Sequence, residues 1–333
     1  MTSTIREPSD DAAARVVERR REPVGEQPAF LVGAPRSGTS LVYKALCLHP
    51  DASFVSQWVQ RFPRLPALAI LDRCGRWSRR LQQRAWFPSG NAYAYGRDRS
   101  LAERLYPAPA EGETVFAAAG IPVAHVQDRP EVGPEIRRLR RSFRSIRRWS
   151  GGRVLVVKRI ANNRRVPLLD VAFPAARYVE IVRDGRAVAL SISRVNWWGP
   201  RPVWWLGQSP DDWAAAGRDP LELTARHWVT ELDVLEAGSA EISPNRYLRI
   251  RYEDVVEDPI PTFRQVAGFF GLDPDDREWL RRLDLLELPD NNQKWRDGLS
   301  DADVATVEAV QADHLRRHGY AIGTQGGLRD GRE

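Results

Sequence analysis

Three short stretches of this 333-residue chain carry side chains whose types and spacing could do chemistry. The first is Gly33-Ala34-Pro35-Arg36-Ser37-Gly38-Thr39-Ser40. An apolar tetrad, Ala29 to Val32, precedes it, and a helical pattern from Thr39 to Leu48 follows. Strand, glycine-containing turn and helix together form a phosphate cradle, because loop N–H groups and the helix N-terminus converge on one anion. Gly33 and Gly38 permit the backbone angles, Thr39 and Ser40 add hydroxyl donors, and Arg36 adds positive charge. The second stretch begins at Arg183, at the end of the apolar run Tyr178 to Val182. Asp184 is a predicted N-cap, and a helix to about Arg194 puts Ala187, Ser191 and Arg194 on one face. Arg183 and Ser191 are thereby expected to grip one phosphate from two sides. The third is Lys158, which closes the apolar run Val154 to Val157 at a strand end where ligands of α/β folds collect. Lys44, Lys158 and Lys294 are the chain's lysines among fifty Lys and Arg. Where arginine is the default cation, a retained lysine points to a need for a compact ammonium.

The loop has the outer spacing of a nucleotide P-loop, but Thr39 stands where that loop has its lysine. This counts against a kinase using ATP and magnesium. The plainer alternative is an ordinary turn between strand and helix. Gly33 to Val42 resembles the 5′-phosphosulfate loop of sulfotransferases that use 3′-phosphoadenosine 5′-phosphosulfate (PAPS), in the bacterial-type variety with Arg-Ser-Gly-Thr-Ser. Arg183 and Ser191 match the spacing of that family's 3′-phosphate ligands. The resemblance spans roughly residues 28 to 320 and includes Tyr252 to Pro259, similar to a family segment of structural role.

The resemblance implies that Arg36, Ser37, Gly38, Thr39, Ser40, Arg183 and Ser191 bind PAPS as co-substrate. It implies that Lys158, with Arg36, acts on the transferring sulfuryl group, and that no metal is required. Lys294, Trp295 and Arg296 are expected in a loop closing the nucleotide site. They resemble a Trp-x-x-x-Leu variety (Trp295, Leu299) and lack the Arg-Lys-Gly of the cytosolic branch. After Lys158, Arg159-Ile160-Ala161-Asn162 departs from the more usual Thr-Pro-x-Asn.

Transfer to a hydroxyl needs a base. One branch of the family has a Glu shortly after His-Pro-Asp. Here His49-Pro50-Asp51 is present, but Ser56-Gln57 occupies the carboxylate region, and Gln57 cannot accept a proton. His125, with Asp128 nearby, is one candidate, and Glu111 or Glu113 another. His227, beside Trp228, reads as a packing residue. With no base at all, the chain would bind the nucleotide without turnover.

The elements that must position these residues are continuous apolar strands alternating with helices. That pattern suggests a mostly parallel sheet covered on both faces, and the resemblance implies a three-layer α/β/α, P-loop NTPase-like sulfotransferase fold. Tyr247 to Ile250 adds a strand, and helices are expected at Ile260–Phe270 and Asp301–His318. Residues 28–322 read as one domain, with 57–134 as a variable acceptor-side insertion. Residues 1–27 read as a tail with a short helix around Ala13–Arg21, and 323–333 as a second tail.

Composition closes off other classes. Hydrophobic residues at 42% and charged residues at 28% fit a soluble globular chain. Two cysteines, Cys47 and Cys74, exclude a disulfide framework and a Cys-based zinc site. No signal peptide or spanning segment is evident, and a cytoplasmic location is expected. Twelve tryptophans are present, and Trp197, Trp198, Trp204, Trp205 and Trp213 follow the Ser191 helix. Most read as packing, with one or two as walls for an acceptor. Seven arginines fall between Arg137 and Arg148, with Ile136, Leu139, Phe143, Ile146 and Trp149 as the apolar stripe. This reads as a solvated basic face, the alternative being peripheral contact with an acidic membrane. Nothing supports nucleic acid as a partner. The expected acceptor is a hydroxyl of a glycan, glycolipid or specialised metabolite.

Overall fold

The computed structural model describes residues 27–75, 79–87, 100–123, 130–286, 288 and 290–323. The expected helix around Ala13–Arg21, most of both expected tails, and His125 with Asp128 lie outside the described residues. Five strands form one parallel sheet: β1 (Ala29–Val32), β2 (Ala52–Phe54), β3 (Val154–Lys158), β4 (Arg177–Val182) and β5 (Tyr247–Arg251). Their order is β2-β3-β1-β4-β5. β1 is central, with Leu31 opposite Lys158 on one side and Val179 on the other. The loops after β1, β3 and β4 therefore leave the same edge at the point where the strand order reverses, where open α/β sheets bind ligands.

Continuous apolar runs form this sheet because both faces are covered. Ala29, Leu31, Val154, Val156, Val179 and Ile181 face one layer, with helix α1 (Thr39–Cys47) among its parts. Phe30, Val32, Leu155, Val157 and Tyr178 face the opposite layer. That second layer includes α2 (Glu113–Ala119) and α3 (Pro134–Ser150). Beyond Val182, helices α4 (Gly185–Ser193), α5 (Pro220–Ser239) and α8 (Asp301–Arg317) bury Val188, Trp228 and Leu315 in a third cluster. The first layer also holds α6 (Pro259–Phe270). The architecture is three-layer α/β/α, as the alternation of strands and helices implies.

The local signals explain most boundaries. The Asp184 side chain accepts from the Arg186 N–H at 2.9 Å and starts α4. Ser300 and Asp303 form a reciprocal capping box at α8. Three expectations change. β2 was not legible, because Ala-Ser-Phe is too short and mixed to stand out as a strand. Lys294, Trp295 and Arg296 open a short helix, α7 (Lys294–Gly298), rather than lie in a loop. On α3 the apolar stripe buries Ile136, Leu139, Phe143 and Ile146, but Trp149 at its end is 41% exposed. No helix among the described residues is long and apolar enough to cross a membrane.

Candidate active site

The loop between β1 and α1 is built around unusual backbone angles. Gly33 has φ 140°, Gly38 has φ 90°, and Arg36, at 68°, is the non-glycine residue with positive φ among the described residues. A Cβ on Gly38 would sit 2.3 Å from the Tyr252 ring. The aromatic ring therefore closes the outside of the turn where only hydrogen fits. Asn163 braces the other end: its Oδ1 accepts from the Gly33 N–H at 3.1 Å, and its Nδ2 donates to the Gly33 carbonyl at 2.9 Å. Ser37 is fully buried, and its Oγ has no hydrogen-bond partner among the described residues. An unmet hydroxyl inside a glycine-built turn at a helix N-terminus fits an anion-binding loop.

Arg183 ties this loop to the chain's C-terminal third. Its Nη1 donates to the Arg36 carbonyl (2.9 Å), its Nε to Asn292 Oδ1 (3.1 Å) and its Nη2 to the Asn291 carbonyl (2.9 Å). Its guanidinium lies over the Tyr252 ring at 4.4 Å. Ser191 Oγ in turn accepts from Arg36 Nε at 2.9 Å. Arg183 and Ser191 are thus joined in one connected cluster, with Arg36 between them. Tyr252, which opens the segment read as structural, belongs to it, as do Asn291 and Asn292, which carry no motif that spacing alone would reveal.

Lys158 is 3% exposed and reaches the start of α1, donating to Ser40 Oγ at 3.0 Å. It also bonds and ion-pairs with Glu111, which accepts from Arg159 too. Glu111 arrives here because Pro109 bridges Ser56 and the Ala110 N–H bonds the Val55 carbonyl. The segment before α2 is therefore laid beside the end of β2. A carboxylate missing from the chain after His49-Pro50-Asp51 is supplied to this edge by residue 111. Burial alone would raise the Glu111 pKa. Lys158 and Arg159 outweigh it and hold the carboxyl below its usual range. Glu113 is placed differently: it accepts from Arg159 Nε (3.0 Å) and Arg165 Nη2 (2.6 Å), braced away from Lys158. Gln57 donates to the Arg104 and Tyr106 carbonyls.

A cavity of about 610 Å³ opens onto this loop. Arg36, Gly38, Thr39, Ser40, Lys158 and Glu111 line one part of it, and Trp197, Trp198, Trp204, Arg164, Arg201 and His227 another. His227, expected as packing, is thus a wall residue, whereas its neighbour Trp228 is fully buried. A buried histidine on an apolar helix face gives no sequence signal that tells the two apart. Trp205 donates its indole N–H to His227 Nδ1 at 3.1 Å, and Trp213 packs in the third cluster.

A cation-lined, donor-rich loop and an adjoining cavity with one lysine–carboxylate pair can hold an anionic group against a second substrate. The family model described as the sulfotransferase family matches residues 28–276, well over half of the chain. The chain belongs to the sulfotransferase family. The crystal structure of sulfotransferase STF9 from Mycobacterium avium is similar, with a TM-score of 0.56 at 16% identity over 90% of this chain and 79% of that one. That likeness bears on the fold alone. Sulfotransferase STF1 from Mycobacterium tuberculosis H37Rv aligns with a TM-score of 0.49 at 19% identity, over 86% of this chain and 76% of that one. No curated protein sequence matches.

In this sulfotransferase the C-terminal basic segment is only partly available to a ligand. Trp295 is 2% exposed and packs on Ala187 and Leu190 of α4. The guanidinium groups of Arg186 and Arg296 lie 4.1 and 4.7 Å from its ring. The ring therefore anchors α7, and Lys294 and Arg296 are the exposed members of the trio. Gly38→Ala is expected to destabilise the fold by about 1–3 kcal/mol, through strain at positive φ and the clash with Tyr252. Urea unfolding would measure it, and an unchanged midpoint would contradict the placement of Tyr252.

Proposed function

We propose that this sulfotransferase moves a sulfuryl group from PAPS to a hydroxyl of a glycan, glycolipid or specialised-metabolite acceptor, leaving 3′,5′-adenosine bisphosphate. The observation that carries the reading is the contact of Lys158 with both Ser40 of the anion loop and Glu111 at one cavity. It sets a cation and a carboxylate beside the place where a loop-bound anion would meet an acceptor. PAPS supplies an activated sulfuryl group whose leaving group is a phosphate.

The loop N–H groups, Ser37, Thr39 and Ser40 would hold the phosphosulfate end, and Arg36 with Ser191 the neighbouring phosphate oxygens. Arg183 and Tyr252 keep the loop in its binding form. Lys158 neutralises charge as it builds on the oxygen that leaves, the largest contribution a preorganised cation can make. Glu111 is the base: it takes the proton from the acceptor hydroxyl as that oxygen bonds to sulfur. The bond from sulfur to the phosphate oxygen breaks, and its electron pair stays with the bisphosphate. The low Glu111 pKa keeps the base form populated at neutral pH.

The test is a melting-temperature comparison with 3′,5′-adenosine bisphosphate against ATP and Mg²⁺. Ligand at 100 times its Kd adds about 2.7 kcal/mol of stability, a shift of a few degrees at this size. The bisphosphate alone is expected to shift the protein. In Arg183→Ala the shift is expected to vanish, because the loop carbonyl of Arg36 and Asn292 Oδ1 both lose their donor. A shift with ATP and Mg²⁺ only would sink the reading in favour of a kinase.

A further inference from the structure

The cavity wall built from the turn Ile160–Arg165, the segment after α4, and α5 holds more hydrogen-bond donors than its own acceptors can use. Glu231 is the wall's carboxylate, and it already accepts three hydrogen bonds. Its Oε1 accepts from Arg164 Nη1 (3.2 Å) and Trp204 Nε1 (2.8 Å), and its Oε2 from Asn163 Nδ2 (2.8 Å). Three N–H groups are left over. His227 Nδ1 accepts from Trp205, so the neutral ring carries its proton on Nε2. That nitrogen is 3.9 Å from Glu231 Oε1, beyond hydrogen-bond reach. Burial, the leading effect, pushes the His227 pKa down, so the ring stays neutral. Arg164 Nε and Trp198 Nε1 are buried without a partner among the described residues. Arg164, Trp198 and His227 are each at least nine-tenths buried. Arg201, exposed at the same cavity, pairs with no carboxylate among the described residues. None of the unmet buried acceptor atoms belongs to a residue lining this cavity.

We propose that the acceptor carries an oxyanion (a carboxylate, phosphate or sulfate ester) that binds to Arg201 and His227 on this wall, in the positive field of the buried Arg164. The proposal rests on the reading that the cavity receives a hydroxyl acceptor. A buried N–H without a partner bears a desolvation cost, and a wall with side-chain donors left over is matched by a group that offers only acceptors. A neutral hydroxyl or amide would bring donors of its own that find nothing here. Trp197, Trp204, Pro202 and Val203 supply the flat apolar surface beside these donors. The acceptor is therefore an amphiphile: an apolar ring or chain between the reacting hydroxyl and the anion.

Two probes isolate the anion: 3-(4-hydroxyphenyl)propionate and 4-propylphenol, which share a phenol and a three-carbon chain. Their affinities would be measured by calorimetry, with and without saturating 3′,5′-adenosine bisphosphate. The carboxylate probe is expected to bind at least tenfold more tightly. Arg201→Ala and His227→Leu are each expected to erase most of that preference, and His227→Gln, which keeps an N–H, to restore it. Equal affinity for the two probes, or binding of neither at millimolar concentration, would overturn the proposal. So would an undiminished preference in both Arg201→Ala and His227→Leu. The bisphosphate's own binding reports separately on the donor site. A carboxylate preference without bisphosphate binding would keep this inference and remove the sulfotransfer reading of the loop.

Discussion

Lys158→Ala is expected to lower kcat for sulfuryl transfer by about 10²–10³ while the melting shift with 3′,5′-adenosine bisphosphate survives. Lys158 is nearly enclosed, and its ammonium has two partners, Ser40 and Glu111. Removing it takes away the cation that contacts Ser40 but leaves Arg36, Arg183 and the loop backbone in place. Glu111 keeps Arg159 as an ion-pair partner, so the fold is not left with an uncompensated carboxylate. Lys158→Arg is expected to recover little. A guanidinium is larger and forked, and it cannot occupy the ammonium's position against both Ser40 and Glu111. Single-turnover rates with radiolabelled PAPS would measure the effect. Activity within fivefold of the unmodified protein would remove Lys158 from the chemistry.

Glu111→Gln is expected to cost about 10²–10⁴ in kcat, the range for loss of a positioned general base. The variant keeps the shape of the side chain and loses its basicity, so bisphosphate binding should persist. The pH profile separates Glu111 from a histidine base. Burial raises the Glu111 pKa, but the charges of Lys158 and Arg159 more than offset it, and the net shift is downward. The rate is therefore expected to stay flat from neutral pH into the ordinary carboxylate range near pH ~4.3, and to fall only below it. A histidine base such as His125 would instead produce a limb near pH ~6.5. Stability follows the same sign. A carboxylate with a depressed folded pKa contributes stability that is fully present above its unfolded pKa and is lost as pH falls through the folded value. In Lys158→Ala the acid limb of the residual rate should move upward, because one of the two depressing charges is gone. A limb near pH ~6.5 in the unmodified protein would reject Glu111 as the base.

The basic elements of the site were legible for local reasons. A strand, a glycine-bearing turn and a helix are encoded within consecutive residues, so Gly33 to Ser40 announces its own geometry. Asp184 caps α4 as its type and place require. Ser191 falls on the helix that Arg183 leads into, because both belong to one strand–helix unit. The apolar runs from Ala29, Val154 and Tyr178 are continuous because both sheet faces are buried, and that pattern implies a parallel sheet.

Which carboxylate meets Lys158, and which side chains wall the cavity, were not legible, for the opposite reason. Glu111 and Glu113 are two residues apart and chemically alike. Which one meets Lys158 depends on how 109–111 pairs beside β2 and on Arg165 claiming Glu113. His227 and Trp228 are adjacent on one helix. Whether the histidine faces a cavity or a core depends on the packing of α5 against the segment carrying Trp205. Trp295 packs on Ala187 and Leu190 of a helix far back in the chain, a contact that no local spacing announces.

The sequence by itself determined the fold class, the glycine-bearing turn between β1 and α1, the strand-end cation Lys158 and the Arg183–Ser191 unit, since each is written in side chains that are neighbours along the chain. Only the tertiary structure decided which carboxylate pairs with Lys158, that Arg183 donates to the Arg36 carbonyl, and that the cavity wall leaves N–H donors over. Those outcomes are contacts between residues dozens to more than a hundred positions apart, and no local spacing encodes which of several equivalent groups the packing brings together.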